Sequence, residues 1–90
     1  MSTKFIDLIS PAQCRGARAL LDLTQTELAS ASNLGLSTVV DFERERRQVS
    51  ADAIRAIRNA LENTGVEFID ENGSGPGVRL RKAHQQLKRR

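Results

Sequence analysis

Residues 28–40 read LASASNLGLSTVV. Leu28 and Ala29 favour a helix, and Thr38, Val39 and Val40 lead toward Phe42 with the spacing of a second apolar helical face. Between these halves Asn33 and Gly35, both tolerant of positive φ, flank Leu34. One unbroken amphipathic helix would bury the same apolar residues, so the interruption has to serve another end. It predicts a helix closing at Ser32, a left-handed residue at Asn33, Leu34 turned inward, and a new helix with Gly35 as its N-cap. That second helix carries Val39 and Phe42 to the interior and ends near Arg44.

Upstream, Thr24 and Glu27 form the capping-box pattern Thr-x-x-Glu, which starts the first of these two helices at about Gln25. Before it, Ser10 as N-cap and Pro11 in the first turn open a helix over about 11–22. Cys14, Ala17, Arg18 and Leu21 recur along it at helical spacing, with Gly16 a small cost inside. Downstream, Ser50 caps a fourth helix, Asp52 complements its N-terminal dipole, and Ala53, Ile54, Ile57, Ala60 and Leu61 form its apolar stripe up to a stop at Gly65. The texture then changes. VEFID (66–70) and VRLR (78–81) alternate in and out around the turn-rich ENGSGPG, which predicts a β-hairpin. From Gln85 onward a short helix and a frayed tail fit equally well.

Ninety residues make one domain with a single small core. No apolar run approaches the roughly 18 residues of a membrane span, and MSTKFIDLIS lacks the pattern of a secretory leader, so a cytoplasmic protein without a membrane partner is expected. Cys14 is the single cysteine and His84 the single histidine. The first reads as a core residue and the second as solvated, with no metal set and no catalytic constellation around either. The glycines of NGSGPG lie between strands and do not open a helix, so they lack the context of a phosphate loop. The expectation is a protein that is not an enzyme and carries no cofactor.

Cations and carboxylates balance over residues 1–65. The formal charge of +3 comes from the C-terminal end, where Arg79, Arg81, Lys82, Lys88, Arg89 and Arg90 outnumber Glu67, Asp70 and Glu71. Such a basic stripe fits a polyanion or a solubilising terminus, and both readings stay open.

Two short helices joined by a tight turn, with a third packed before them, describe a helix-turn-helix, whose second helix enters the major groove of DNA. The stretch TQTELASASNLGLSTVVDFE (24–43) resembles the lambda-repressor/Cro-type helix-turn-helix of the xenobiotic-response-element family of small bacterial transcriptional regulators. The likeness covers about residues 11–62. It implies a four-helix domain that binds DNA; with the hairpin and charge run read above, the expected fold is mainly α, with that domain over 1–65, a β-hairpin extension over 66–82 and a basic tail over 83–90. It also implies a DNA-facing set of Thr24, Gln25, Gly35, Leu36, Ser37, Thr38, Val40, Asp41, Arg44, Arg46 and Arg47. In that set Gln25 contacts a phosphate at a helix N-terminus. Leu36, Ser37, Val40 and Asp41 face base edges, and Arg44, Arg46 and Arg47 follow the DNA backbone. Arg18 and Glu43 match a structural ion pair joining the first and third helices; losing one partner of such a pair costs about 3–5 kcal/mol.

The chain departs from the family pattern at three places. Leu36 and Val40 suit thymine methyls but make no bidentate hydrogen bond to a purine. Asp41 accepts from cytosine N4 yet repels phosphate. Glu45 stands where the family usually has glycine in a tight turn, which predicts a different turn. Two functions follow. One is a sequence-specific DNA-binding regulator, a repressor acting as a homodimer on double-stranded DNA, for which the hairpin is either a dimer element or a cap on the helices. The alternative is a protein-interaction module on the same fold, an antitoxin or anti-activator that docks a regulatory protein partner on Leu36 and Val40.

Overall fold

The computed structural model describes residues 8–81. Along them run α1 (Pro11–Leu21), α2 (Gln25–Ser32), α3 (Leu36–Glu43) and α4 (Ala51–Thr64), followed by the antiparallel strands β1 (Val66–Ile69) and β2 (Gly77–Leu80). The arrangement is mainly helical with a C-terminal hairpin, as the sequence predicts. The basic tail 83–90, His84 included, lies outside the described residues.

Local chemistry accounts for each helix start. At α1 the Ser10 hydroxyl accepts from the Gln13 N–H at 3.0 Å while the Gln13 carboxamide oxygen accepts from the Ser10 N–H at 2.9 Å. The Thr24–Glu27 box at α2 repeats this exchange, and the Ser50 hydroxyl caps α4. Gly35, lacking a side chain, caps α3 without a side-chain hydrogen bond.

The ends of α1, α2 and α3 share one solution. Asp22 (φ 61°), Asn33 (φ 60°) and Glu45 (φ 55°) each take the left-handed conformation. In each case the following N–H reaches back across the last turn: Leu23 to Arg18 O, Leu34 to Ala29 O and Arg46 to Asp41 O, all at 2.9 Å. This is the Schellman closure. Asp22 ends α1 one residue earlier than expected, because a short acidic side chain tolerates this region. The turn after α3 keeps its usual shape, contrary to expectation, and Glu45 adopts the conformation itself.

The core gathers Cys14 and Ala17 of α1, Leu28 and Ala29 of α2, Val39 and Phe42 of α3, and Ile57, Ala60 and Leu61 of α4. Ile9, Val49, Val66 and Phe68 close its ends. On the hairpin Val66 and Phe68 turn inward, with Val78 and Leu80 packed beside them, while the register partners Glu67 and Arg79 pair on the outside at 3.3 Å. The hairpin is tied to α1 by Gln13, which is buried; its Nε2 donates to Gly77 O at 2.9 Å and Ile69 O at 3.3 Å. Gly16 lies at the same contact, where a Cβ would stand 3.4 Å from Val78 Cγ1, at ordinary van der Waals distance. Arg81, read with the basic tail, instead donates to Glu62 O and Val66 O, both at 3.1 Å. In the turn between the strands, Gly73 and Gly75 give their N–H groups to the Glu71 carboxylate at 3.2 Å.

Candidate nucleic-acid interface

α3 buries Val39, Phe42 and Glu43 and turns the opposite side outward. Leu36 is 46% exposed, which is high for a leucine, and Ser37 is exposed beside it. Thr38, Val40 and Asp41 are half-buried on the same side. The residues expected to face DNA are therefore brought onto one surface, with Gly35 at its start and Arg44, Arg46 and Arg47 exposed at its end.

Glu43 fixes how that surface is held. Its side chain is 1% exposed and accepts from four donors. Arg18 Nε and Nη2 bind it side-on at 2.7 Å each, Gln25 Nε2 donates at 2.9 Å, and the Cys14 thiol donates at 3.1 Å. Arg18 Nη1 also donates to Leu23 O at 3.0 Å, and Arg15 Nη1 donates to the Glu43 backbone oxygen. One carboxylate thereby joins α1, the N-terminus of α2 and the end of α3. Burial alone pushes the Glu43 carboxyl upward, but the hydrogen bonds from Arg18, Cys14 and Gln25, with the Arg18 charge, outweigh it and leave its pKa below the usual carboxylate value. Burial, then the hydrogen bond to Glu43, pushes the Cys14 thiol up. This thiol is a donor inside the fold and not a nucleophile.

Gln25 differs from expectation. Its side-chain amide turns to Glu43, because a buried carboxylate draws in the donors within reach. The N-terminus of α2 still presents backbone N–H groups, since those of Gln25 and Thr26 have no acceptor within the helix. Arg15, Arg18, Thr24, Gln25, Glu43 and Arg44, with Leu23, line an open cleft of about 520 Å³ at that terminus. Arg15 was not anticipated; its spacing of three from Arg18 puts both on one side of α1, and that spacing is legible in the sequence. Asp41 is engaged as well. Its carboxylate holds Arg47 Nε at 2.8 Å and Arg46 Nη1 at 3.8 Å.

A family profile described as helix-turn-helix matches residues 15–68, more than half of the chain. The chain belongs to the helix-turn-helix family of the xenobiotic-response-element, lambda-repressor type. A search among curated proteins returns no match. The helix-turn-helix proper is α2, the turn through Asn33 and Leu34, and α3. It is a DNA-binding unit of regulatory type. Among the described residues no helix is long and apolar enough to cross a membrane, and no group of three or more His, Cys, Asp or Glu side chains is placed to hold a metal ion.

Proposed function

We propose that the protein is a sequence-specific transcriptional regulator, a repressor that binds double-stranded DNA as a homodimer with α3 in the major groove. The observation that carries this reading is the Glu43 cluster, which locks the N-terminus of α2 beside the exposed side of α3. A duplex lying against α3 then brings a phosphate to the free N–H groups of α2, with Arg15, Arg18 and Thr24 around it. Arg44 and Arg46 follow the backbone at the end of α3, while Gly35 gives close approach at its start. Ser37 and Thr38 offer hydroxyls to base edges, and Leu36 and Val40 offer apolar contact to thymine methyls. A second copy supplies the other half-site, about 34–36 Å away. The unpaired edges of the two-stranded hairpin are the surface offered to it.

The test is selection of randomised duplex DNA on the purified protein near physiological salt. Recovery of a palindrome with half-sites one helical turn apart is expected. A featureless pool retained only through salt-sensitive contacts would sink the regulator reading. The exposure of Leu36 favours a second reading, in which the same surface docks a regulatory protein as an antitoxin or anti-activator does. In that case Leu36→Ala abolishes capture of that partner while DNA retention stays unchanged.

A further inference from the structure

The outer surface of α3 carries apolar and hydroxyl side chains and the Asp41 carboxylate, but no group that donates two parallel hydrogen bonds to a purine. Such a group stands over it from outside the helix. Arg47, two residues beyond the left-handed Glu45 that follows α3, folds back along the helix. Its Nε donates to Asp41 Oδ2 at 2.8 Å, and its Nη2 lies 3.4 Å from Thr38 Oγ1. Asp41 and Thr38 are one helical turn apart, so they grip the guanidinium along one edge.

A guanidinium has five N–H groups arranged around a plane. The side edge, Nε and one hydrogen of Nη2, is spent on Asp41 and Thr38. Among the described residues the end edge, Nη1 and the remaining hydrogen of Nη2, is bonded to nothing. Those two parallel donors are the fork that matches O6 and N7 of guanine. Asp41 serves the fork twice: it fixes the plane of the guanidinium, and its charge is offset by Arg47 and Arg46, which reduces its repulsion of phosphate.

We infer that Arg47 is the guanine reader of this protein, oriented by Asp41 and Thr38 so that its end edge meets a guanine in the major groove. The inference rests on the regulator reading and gives Arg47 a base-reading role in place of the backbone role expected from the sequence. Asp41 is then a positioning residue and not a direct contact to cytosine.

The experiment is duplex selection on the wild-type protein, followed by competition binding and salt titration with Arg47→Lys and Asp41→Asn. Arg47→Lys keeps the charge but removes the fork. The wild type recovers an invariant guanine in each half-site. Arg47→Lys lowers discrimination at that base pair roughly tenfold or more while the salt slope stays within about one phosphate contact of the wild type. Asp41→Asn relaxes the same position, although Arg47 is still present. If Arg47→Lys keeps the wild-type preference, Arg47 is a phosphate contact and the inference falls alone. If the wild type recovers no motif, it falls together with the regulator reading.

Discussion

Glu43 accepts four hydrogen bonds, about as many as a carboxylate has lone-pair positions, so nothing further can be added to it. It serves geometry and leaves recognition to its neighbours. Because its pKa is held down in the fold, it contributes stability above the ordinary carboxyl value of 4.5, and that contribution is lost as pH falls through the lower folded value. Cys14 works in the opposite direction. Its thiol is held up by burial and by Glu43, so stability declines once pH rises past the ordinary thiol value of 9.0, where only the unfolded chain ionises. Urea midpoints measured from pH 3 to pH 10 should therefore fall at both ends, and Cys14→Ala should remove the alkaline decline while leaving the acid one. A profile that stays flat above pH 9 would mean the thiol is not enclosed. Of this cluster the sequence disclosed the Arg18–Glu43 pair, through its family likeness. The shares of Cys14 and Gln25 were not legible, because they exist only once α1 and α2 are packed against the end of α3.

Three consecutive helices end in the same left-handed closure, but the residues that supply it are unequal. Asp22 and Asn33 have the short polar side chains that tolerate this region, whereas Glu45 has a longer one and bears the steric penalty, about 1–2 kcal/mol. Glu45→Gly should relieve most of it. A gain of about 1 kcal/mol, read as a rise in Tm of about 4–8 °C, is the expected outcome of thermal unfolding. An unchanged or lower Tm would show that the Glu45 side chain contributes more than its backbone costs. Caps and turns were the most legible part of this fold: Thr24, Asn33, Ser50 and Gly65 are local signals with local consequences. The Ser10–Gln13 box carried its pattern openly and went unread behind Pro11. The burial of Ile9 and Val49 had no such signal, since both lie outside the periodic segments and are covered only by tertiary packing.

At the scale of the whole molecule, charge and symmetry act together. Each phosphate neutralised contributes about 0.9 to the slope of log affinity against log salt. Arg44→Ala combined with Arg46→Ala removes two such contacts per protomer. A homodimer on its operator should therefore lose about 3.6 in slope, and a single protomer about half that. Salt titration of the double variant measures the stoichiometry together with the phosphate roles, and an unchanged slope would remove both arginines from the interface. The hairpin was legible as two strands and a turn, but its placement was not. Alternation shows which side of VEFID turns inward, and only the fold shows that α1 lies beneath the hairpin, joined to it by Gln13.

The Gln13 carboxamide has a consequence for how the chain comes into being. Its hairpin acceptors, the carbonyls of Ile69 and Gly77, lie 56 and 64 residues further along. At about 5–20 residues per second they leave the ribosome several seconds after Gln13 does. Through that interval the amide oxygen has its partner, the Ser10 N–H, within three residues, while the amide nitrogen has no acceptor on the hairpin. α3 is thus synthesised between the two, and the hairpin completes the burial of α1 only after α1, α2, α3 and α4 have all been made.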